Sequence, residues 1–411
     1  MSPRDAVTRS ALRRVRLGPV LVAGHRVVVR NTRLSDFPRW RELRLRDRRF
    51  IEPFWVTSAL SWEERHRRRW WIREYLRQRR AMAAGRALPL SIEVDGEFAG
   101  QCNLMPIDPI NCSAELGIWM DSRRAGEGVG SIAGGLVTDY GLGPLGLRRI
   151  TAPAALGNRV ARQSALRSGM ILEATMIEAM SVNGRRRDHE LWAITTTTAP
   201  PGGFVAALVT AGIHARYLPE EERSLRTRWN DFRRATVAAS PPAVLAVATR
   251  YYLGAPLRWR WAPAPALLDV ITGTDADGRS VSLRKRTGHW AFRRTRRVRY
   301  DAVAAGEPLG RLLLDHGEAN ARVTLEFSPE AAFTAAATTA VALLVDYAMN
   351  GLRIERLEAR IDPADAHLAK LASAGGLRHE GVLAEARRDP DGGFHDVELW
   401  AATPSGATPS D

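Results

Sequence analysis

The chain has 411 residues, 45% hydrophobic and 26% charged, the proportions of a globular protein with room for two ordinary domains. Its net charge of +15 and pI near 10.9 favour acidic partners, RNA or a ribosome surface, and disfavour polycationic substrates. Two cysteines exclude a disulfide framework, no secretory segment opens the chain, and the longest charge-free apolar run, residues 331–345, is too short for a bilayer, so a soluble cytoplasmic protein is expected, without membrane partners.

Residues 1–16 are polar and basic and read as frayed. Residues 25–30 alternate and are β-branched, a strand. A short helix opens near Ser35-Asp36. Ser61 to Glu64 spells a capping box, S-x-x-E, and starts a helix expected to run to about residue 83. Trp71, Ile72, Tyr75, Leu76 and Met82 fall on one stripe of it, most simply a core face. Strands at 89–94 and 98–105 flank Asp95-Gly96, a hairpin turn. A strand at 114–120 leads through DSRRAGEGVG into a helix over 129–140. A strand at 148–153 precedes a helix over 158–168 that Gly169 ends. Strands at 171–182 and 189–195 pair across Asn183-Gly184. APPGGF, residues 199–204, has linker composition.

Residues 205–260 look helical, with a break at 240–242. Strands follow at about 280–300, 308–315 and 321–327. A helix covers 329–349, a strand 356–361 and a helix 364–374, and a last hairpin turns at Asp391-Gly392. The mixture is that of an α/β (α+β) protein, a mostly antiparallel sheet flanked by helices in each half.

DHELWAIT, from Asp188, returns as DVELWAAT, from Asp396, about half a chain later. AELGIWMDS overlays ARVTLEFSP, and Gly169 overlays Gly376. Such long-period self-similarity means a duplicated domain rather than a solenoid. The expected boundaries are 1–199 and 200–411, the latter with a helical linker at about 205–260.

Between a strand and a helix N-terminus stands AGEGVG: Ala125, Gly126, Glu127, Gly128, Val129 and Gly130. Glycines at alternate positions let backbone approach a ligand, and consecutive N–H groups at a helix start attract phosphate. The loop lacks G-K-[ST] and G-x-G-x-x-G, which argues against a P-loop or Rossmann site. Alone, it reads equally well as a glycine-rich turn.

Strand, glycine loop, helix, strand, helix and hairpin in this order resemble the GCN5-related N-acetyltransferase (GNAT) family. Gly128 and Gly130 match its [RQ]-x-x-G-x-[GA] loop, with Ala125 in place of Arg or Gln. IEPFW, EERHRRRW, AGRALPLSIEVDGEFAGQ, AELGIWMD, GPLGLRRI and RRDHELWAIT resemble its RimJ/RimL type more closely. The resemblance implies acetyl-CoA as co-substrate and a primary amine as acceptor: a protein N-terminus, such as that of a ribosomal protein, or a small amine. It places the pyrophosphate on the N–H groups of Gly126, Gly128, Val129 and Gly130, and the pantetheine arm along Ile118, Trp119 and Met120 and near Asn158. A Ser usual in the family is Ala161 here, while Ser164 lies one turn on.

Glu115 is the candidate general base, because its strand neighbours Ala114 and Leu116 should face the other way. A cross-strand ion pair with an arginine is the plain alternative. In the second half, AGEGVG is replaced by AFTAAA, residues 332–337, and Asn158 by Asp365. Cβ atoms, a phenyl ring and a carboxylate would then oppose phosphate, so the second copy is expected not to bind acetyl-CoA and to pack on the first as an intramolecular pseudo-dimer. A non-catalytic acyl-CoA-binding or ribosome-associated protein is the other reading.

Arg284 to Arg299 interleaves basic and aromatic residues, the composition of an RNA-contacting surface or a solvated strand face. Phe54 and Trp55 fall where the family lines its acceptor groove, or in the core. Cys102 and Cys112 would oppose each other in a simple hairpin, with reduced thiols favoured. No histidine spacing marks a metal site.

Overall fold

In the computed structural model, which describes residues 9–219, 229, 241–252, 267–286, 297–317 and 319–404, the chain forms two compact units. The first is drawn from Met1–Leu172, Ser181–Arg185 and Leu191–Ala262, the second from Glu173–Met180, Arg186–Glu190 and Pro263–Asp411.

In the first unit, β1 (Arg16–Val22) and β2 (His25–Asn31) pair antiparallel. Then come β3 (Leu90–Val94), β4 (Glu97–Asp108) and β5 (Ser113–Met120), each antiparallel to its predecessor. Asp95 and Gly96 turn with φ of 52° and 85°, as a two-residue hairpin requires. β6 (Arg149–Ala155) joins β5 in parallel. β7 (Ile171–Val182) and β8 (Arg185–Thr195) follow, with β8 beside β6, and their segments Glu173–Met180 and Arg186–Glu190 are counted with the second unit. The N-terminus corrects one expectation: Arg9–Leu12 forms a 3-10 turn, and Leu12 and Val15 are buried. Two apolar side chains among arginines suffice to pin the segment to the core.

The helices are α1 (Phe37–Arg46), α2 (Arg48–Ile51), α3 (Trp62–Arg65), α4 (Arg68–Ala83), α5 (Val129–Leu142) and α6 (Arg159–Arg167). The capping box is formed: Ser61 Oγ accepts the Glu64 N–H at 3.2 Å, and the Glu64 carboxylate accepts the Ser61 N–H at 3.1 Å. The single helix expected from it is nevertheless two. His66 turns its ring inward, Nδ1 bonding the Trp62 carbonyl, and helix resumes at Arg68. Trp71, Ile72 and Met82 of the expected stripe are buried, while Tyr75 and Leu76 are half-buried.

The stretch with linker composition leads straight into packed structure. α7 (Phe204–Thr210) buries Phe204, Val205 and Leu208 in the first core. Its N-terminus is capped from α5: the two carboxylate oxygens of Asp139 accept the N–H groups of Phe204 (2.7 Å) and Val205 (3.1 Å). β9 (Ala215–Tyr217) then pairs with β1, and α8 spans Pro241–Tyr252. Prolines and glycines mark a turn here, and the apolar residues after it decide where the chain goes.

The second unit repeats the order of pairings. β10 (Val270–Thr274), β11 (Ser280–Lys285), β12 (Arg297–Ala304), β13 (Glu307–His316) and β14 (Asn320–Phe327) form an antiparallel meander. β15 (Arg356–Ile361) is parallel to β14, then β17 (Phe394–Ala402) lies beside β15 and β16 (Arg378–Arg388) beside β17. The single helix expected over 329–349 is α9 (Pro329–Ala332) and α10 (Ala335–Asp346), broken at Phe333-Thr334 and followed by a π-turn, Tyr347–Gly351. α11 spans Ala366–Ala374. Most of the basic–aromatic run, residues 287–296, lies outside the described residues.

The repeated octamers have a shared task. Asp188 Oδ1 accepts the N–H of Glu178 at 2.8 Å, and Asp396 Oδ1 accepts that of Glu385 at 2.9 Å. Both glutamates have φ of 49° in mid-strand, a left-handed kink whose freed N–H each aspartate satisfies. Among the described residues no helix is long and apolar enough to cross a membrane.

Candidate active site

The site is built where β5 and β6 part. Their parallel pairing covers Ser113–Arg149, Ala114–Ile150 and Glu115–Thr151 and goes no further. β5 continues to Met120, still paired with β4. The edge of residues 116–120 that faces away from β4 therefore has no β6 partner. Ile118, on this stretch, is 41% exposed.

The loop after β5 is fixed from two sides. Asp121 caps the 3-10 turn Ser122–Arg124, accepting the Arg123 N–H at 2.9 Å. Asp47, just past α1, accepts the backbone N–H (2.9 Å) and hydroxyl (2.8 Å) of Ser122. Arg46 ties both carboxylates together. Gly126 and Gly128 then take φ of 87° and 80°, and Gly128 is the N-cap of α5. The first helical N–H to find a carbonyl is that of Ile132, on Gly128 O at 3.0 Å. The N–H groups of Val129, Gly130 and Ser131 have no acceptor among the described residues, the usual state of a helix start with no capping side chain.

The three glycines differ in kind. A Cβ on Gly126 would meet nothing within 4 Å, whereas one on Gly128 would lie 2.8 Å from Ile213 Cγ2 and one on Gly130 2.8 Å from Met120 Sδ. Only Gly126 faces open space, and the other two are small because side chains pack on them. Ile213, which follows α7, was missed from sequence because it lies beyond the apparent linker. Sequence assigns Arg123 and Arg124 no role. Both precede the glycines, and Arg124 holds its guanidinium at the loop, contacting His25 Nε2 at 2.6 Å and Glu127 at 3.7 Å.

Asn158 is the N-cap of α6, its Oδ1 accepting the Ala161 N–H at 3.1 Å. Ala161 packs against the first core and Ser164 is half-buried. Leu156 and Val160, at the same end of α6, are 41% and 78% exposed.

Glu115 has neither an ion-pair nor a hydrogen-bond partner among the described residues, so the plain alternative of a cross-strand pair is not formed. Ala114 and Leu116 belong with the core, which turns Glu115, Gly117 and Trp119 to the opposite face. Burial pushes the Glu115 carboxyl up to about 7. On that face Trp119 Nε1 donates to Gln101 Oε1 at 3.0 Å, shared with Trp40 Nε1 at 3.2 Å.

The cysteines do not oppose each other. The hairpin turns at residues 109–112, so Cys102 pairs with Ile118, while Cys112 lies in the turn itself, its Sγ 3.9 Å from Pro109 O. Both are buried free thiols. No cluster of metal-ligating side chains occurs among the described residues.

A parallel strand pair that opens beside an uncapped glycine-started helix, with a carboxyl of raised pKa at the fork, defines the architecture of an acyl-transfer site. The profile of the acetyltransferase (GNAT) domain matches residues 26–171. The ribosomal-protein-serine acetyltransferase of Escherichia coli (strain K12) is 30% identical over 145 residues, covering 34% of this chain and 78% of that protein. The putative ribosomal N-acetyltransferase YdaF of Bacillus subtilis (strain 168) is 29% identical over 110 residues, 27% of this chain and 60% of that protein. Among solved structures, Mycobacterium smegmatis RimJ in complex with CoA-disulfide aligns with a TM-score of 0.48 and 30% identity, over 50% of this chain and 99% of that one. This chain belongs to the GNAT acetyltransferase family, and is an enzyme of that type.

Proposed function

We propose that the first unit transfers acetyl from acetyl-CoA to a protein N-terminal α-amine in the cytoplasm. The observation that carries this reading is Glu115: a carboxyl without a partner among the described residues, poised near neutral pH, at the fork of β5 and β6. The residues fit acetyl-CoA, which supplies the acetyl thioester. The N–H groups of Val129 and Gly130, the open face of Gly126, and Arg123 and Arg124 suit a pyrophosphate. The free edge of residues 118–120 and the exposed Ile118, Leu156 and Val160 suit a pantetheine arm.

In this reading Glu115 takes the proton of the acceptor ammonium. The neutral amine attacks the thioester carbonyl, the N–C bond forms, the C–S bond breaks, and the second proton of the attacking nitrogen passes through water to the departing thiolate, since Ala161 offers none. A base near 7 suits an α-amine. With a pKa near 7.8, about a seventh of such amines are already neutral at pH 7, against roughly one in 2,500 for a lysine near 10.4. The test is thiol release with acetyl-CoA and peptides bearing free Ser or Ala N-termini. An α-acetylated peptide with a free lysine serves as control. Turnover of the lysine peptide alone would overturn the reading, and no turnover of any amine with acetyl-CoA bound would favour the non-catalytic alternative.

We infer further that the second unit is a copy of the same fold that no longer binds acetyl-CoA. Support comes from the shared order of strand pairings and from the helix start. There Thr334, the N-cap as Gly128 is on α5, accepts the Ala337 N–H through Oγ1 at 3.1 Å, and Phe333, 63% exposed, stands immediately before it.

A further inference from the structure

The chain pairs its buried guanidinium groups with care. Arg30 is held by Asp36 at 2.9 Å and Glu93 at 2.7 Å, and Arg356 by Glu358 at 2.9 Å and by Glu380 at 2.5 Å. Arg44, on α1, is only 2% exposed yet has no carboxylate among the described residues. Its Nε donates to His66 Nε2 at 3.1 Å, and its Nη1 is buried without a partner. His66 is a neutral acceptor here, since its Nδ1 bonds the Trp62 carbonyl and burial depresses its pKa to about 3. Nothing in this arrangement neutralises the Arg44 charge. Burial, with Arg65 nearby, draws its own pKa down to about 9. A buried cation without a counter-charge is costly, and an arriving anion relieves that cost.

The position is on the acceptor side of the site. The Arg44 Cζ lies 4.9 Å from the ring of Trp119, which shares the β5 face with Glu115, 5.0 Å from Trp62 and 3.7 Å from Trp55. Three of the surrounding indoles are anchored: Trp62 Nε1 donates to Arg44 O at 3.0 Å, and Trp119 and Trp40 both donate to Gln101. No hydrogen bond among the described residues holds the Trp55 indole, which is half-buried. Its neighbours Phe54 and Val56 are 39% and 53% exposed. A cleft of about 350 Å³, lined by Arg46, Arg48, Arg49, Glu52, Pro53 and Asn183, opens two residues before it.

We propose, building on the reading of an N-terminal acetyltransferase, that Arg44 is a specificity-determining residue: Trp55 swings off its guanidinium, and a carboxylate from the first residues of the acceptor peptide takes that place. The preferred acceptors are then peptides with an Asp or Glu shortly after the free amine. The alternative, that Arg44 only props up the tryptophans, predicts no preference.

The test uses the full chain, saturating acetyl-CoA and C-terminally amidated Ser-initiated peptides that differ only by Glu or Gln at position two, three or four. At one position the Glu peptide is expected to exceed its Gln twin by about tenfold or more in kcat/KM, the scale of one charge-assisted hydrogen bond. Arg44→Gln should bring that ratio to about one, and Arg44→Lys should restore part of it. A ratio near one at every position in the wild type, or one that survives Arg44→Gln, overturns the proposal. If Arg44→Gln does not fold, Trp55→Ala decides: with the cover removed, KM for the Glu peptide should fall and that for the Gln peptide should not. If no peptide is turned over, acetyl transfer itself fails. The inference is then read from tryptophan emission of the CoA-loaded protein: a change with the Glu peptide alone, lost in Trp55→Phe, supports it, and equal responses overturn it.

Discussion

Thr334 Oγ1 accepts the N–H of Ala337 at 3.1 Å and closes the start of α10, whereas Gly128, at the start of α5, has no side chain with which to do the same. The two helix starts are thus opposite in character, one self-satisfied and one open to an anion. One acetyl-CoA should bind per chain, as the stoichiometry from calorimetry will show. Gly126→Phe, which fills the open face of the loop, should abolish that binding at a folding cost of about 1–2 kcal/mol for a left-handed phenylalanine. Two sites, or unchanged affinity in the variant, would refute the loop assignment.

Glu115 should govern the pH dependence of turnover. Acting as a base, it works when deprotonated, so kcat/KM should rise with pH through about 7. Glu115→Gln should lower kcat/KM by about 10²–10⁴-fold and leave only the limb of the acceptor amine.

The same carboxyl has a stability signature. Its folded pKa, about 7, lies above the ordinary 4.5. Its contribution is therefore fully present below 4.5 and lost as pH rises through 7. At pH 8 the Glu115→Gln variant should melt above the wild type, by no more than about 3 kcal/mol in free energy. At pH 4 that advantage should vanish. Equal melting at both values would show that Glu115 is better solvated than its surroundings indicate.

Asp139 holds α7 by two backbone N–H groups, and Ile213 beyond α7 rests on Gly128. Asp139→Ala should cost about 1–2 kcal/mol as a lost helix cap. It should also weaken CoA binding several-fold, although Asp139 is not in the loop. A stability loss with unaltered affinity would separate α7 from the site.

Asp396→Ala removes the exposed hydrogen bond that holds the Glu385 N–H at its mid-strand kink. The expected loss is about 0.5–1.5 kcal/mol in thermal or urea unfolding, with CoA affinity untouched.

Much of the fold was legible because its signals are local. The Asp95-Gly96 turn, the Ser61 capping box, the glycine loop and the alternation of β14 act within a few residues of themselves. Helix lengths were less legible. The break at His66 depends on a ring drawn into a tryptophan cluster, and the break at Phe333-Thr334 on a threonine choosing to cap. α7 was hidden because a Pro-Pro-Gly-Gly turn reads the same whether the next helix is loose or docked, and its cap is a carboxylate 65 residues away in sequence. Arg44 was invisible as a special residue among so many arginines.

By itself, the sequence determined most of the strand and helix order and the glycine loop, and it singled out the long-period repeat and Glu115 as expectations, since each follows from periodicity or from residue types at fixed spacing. Tertiary structure alone decided which glycine faces open space and that, among the described residues, Glu115 has no partner and Arg44 is buried without a carboxylate. Those are properties of what lies across from a residue, and the partners across from it come from distant parts of the chain.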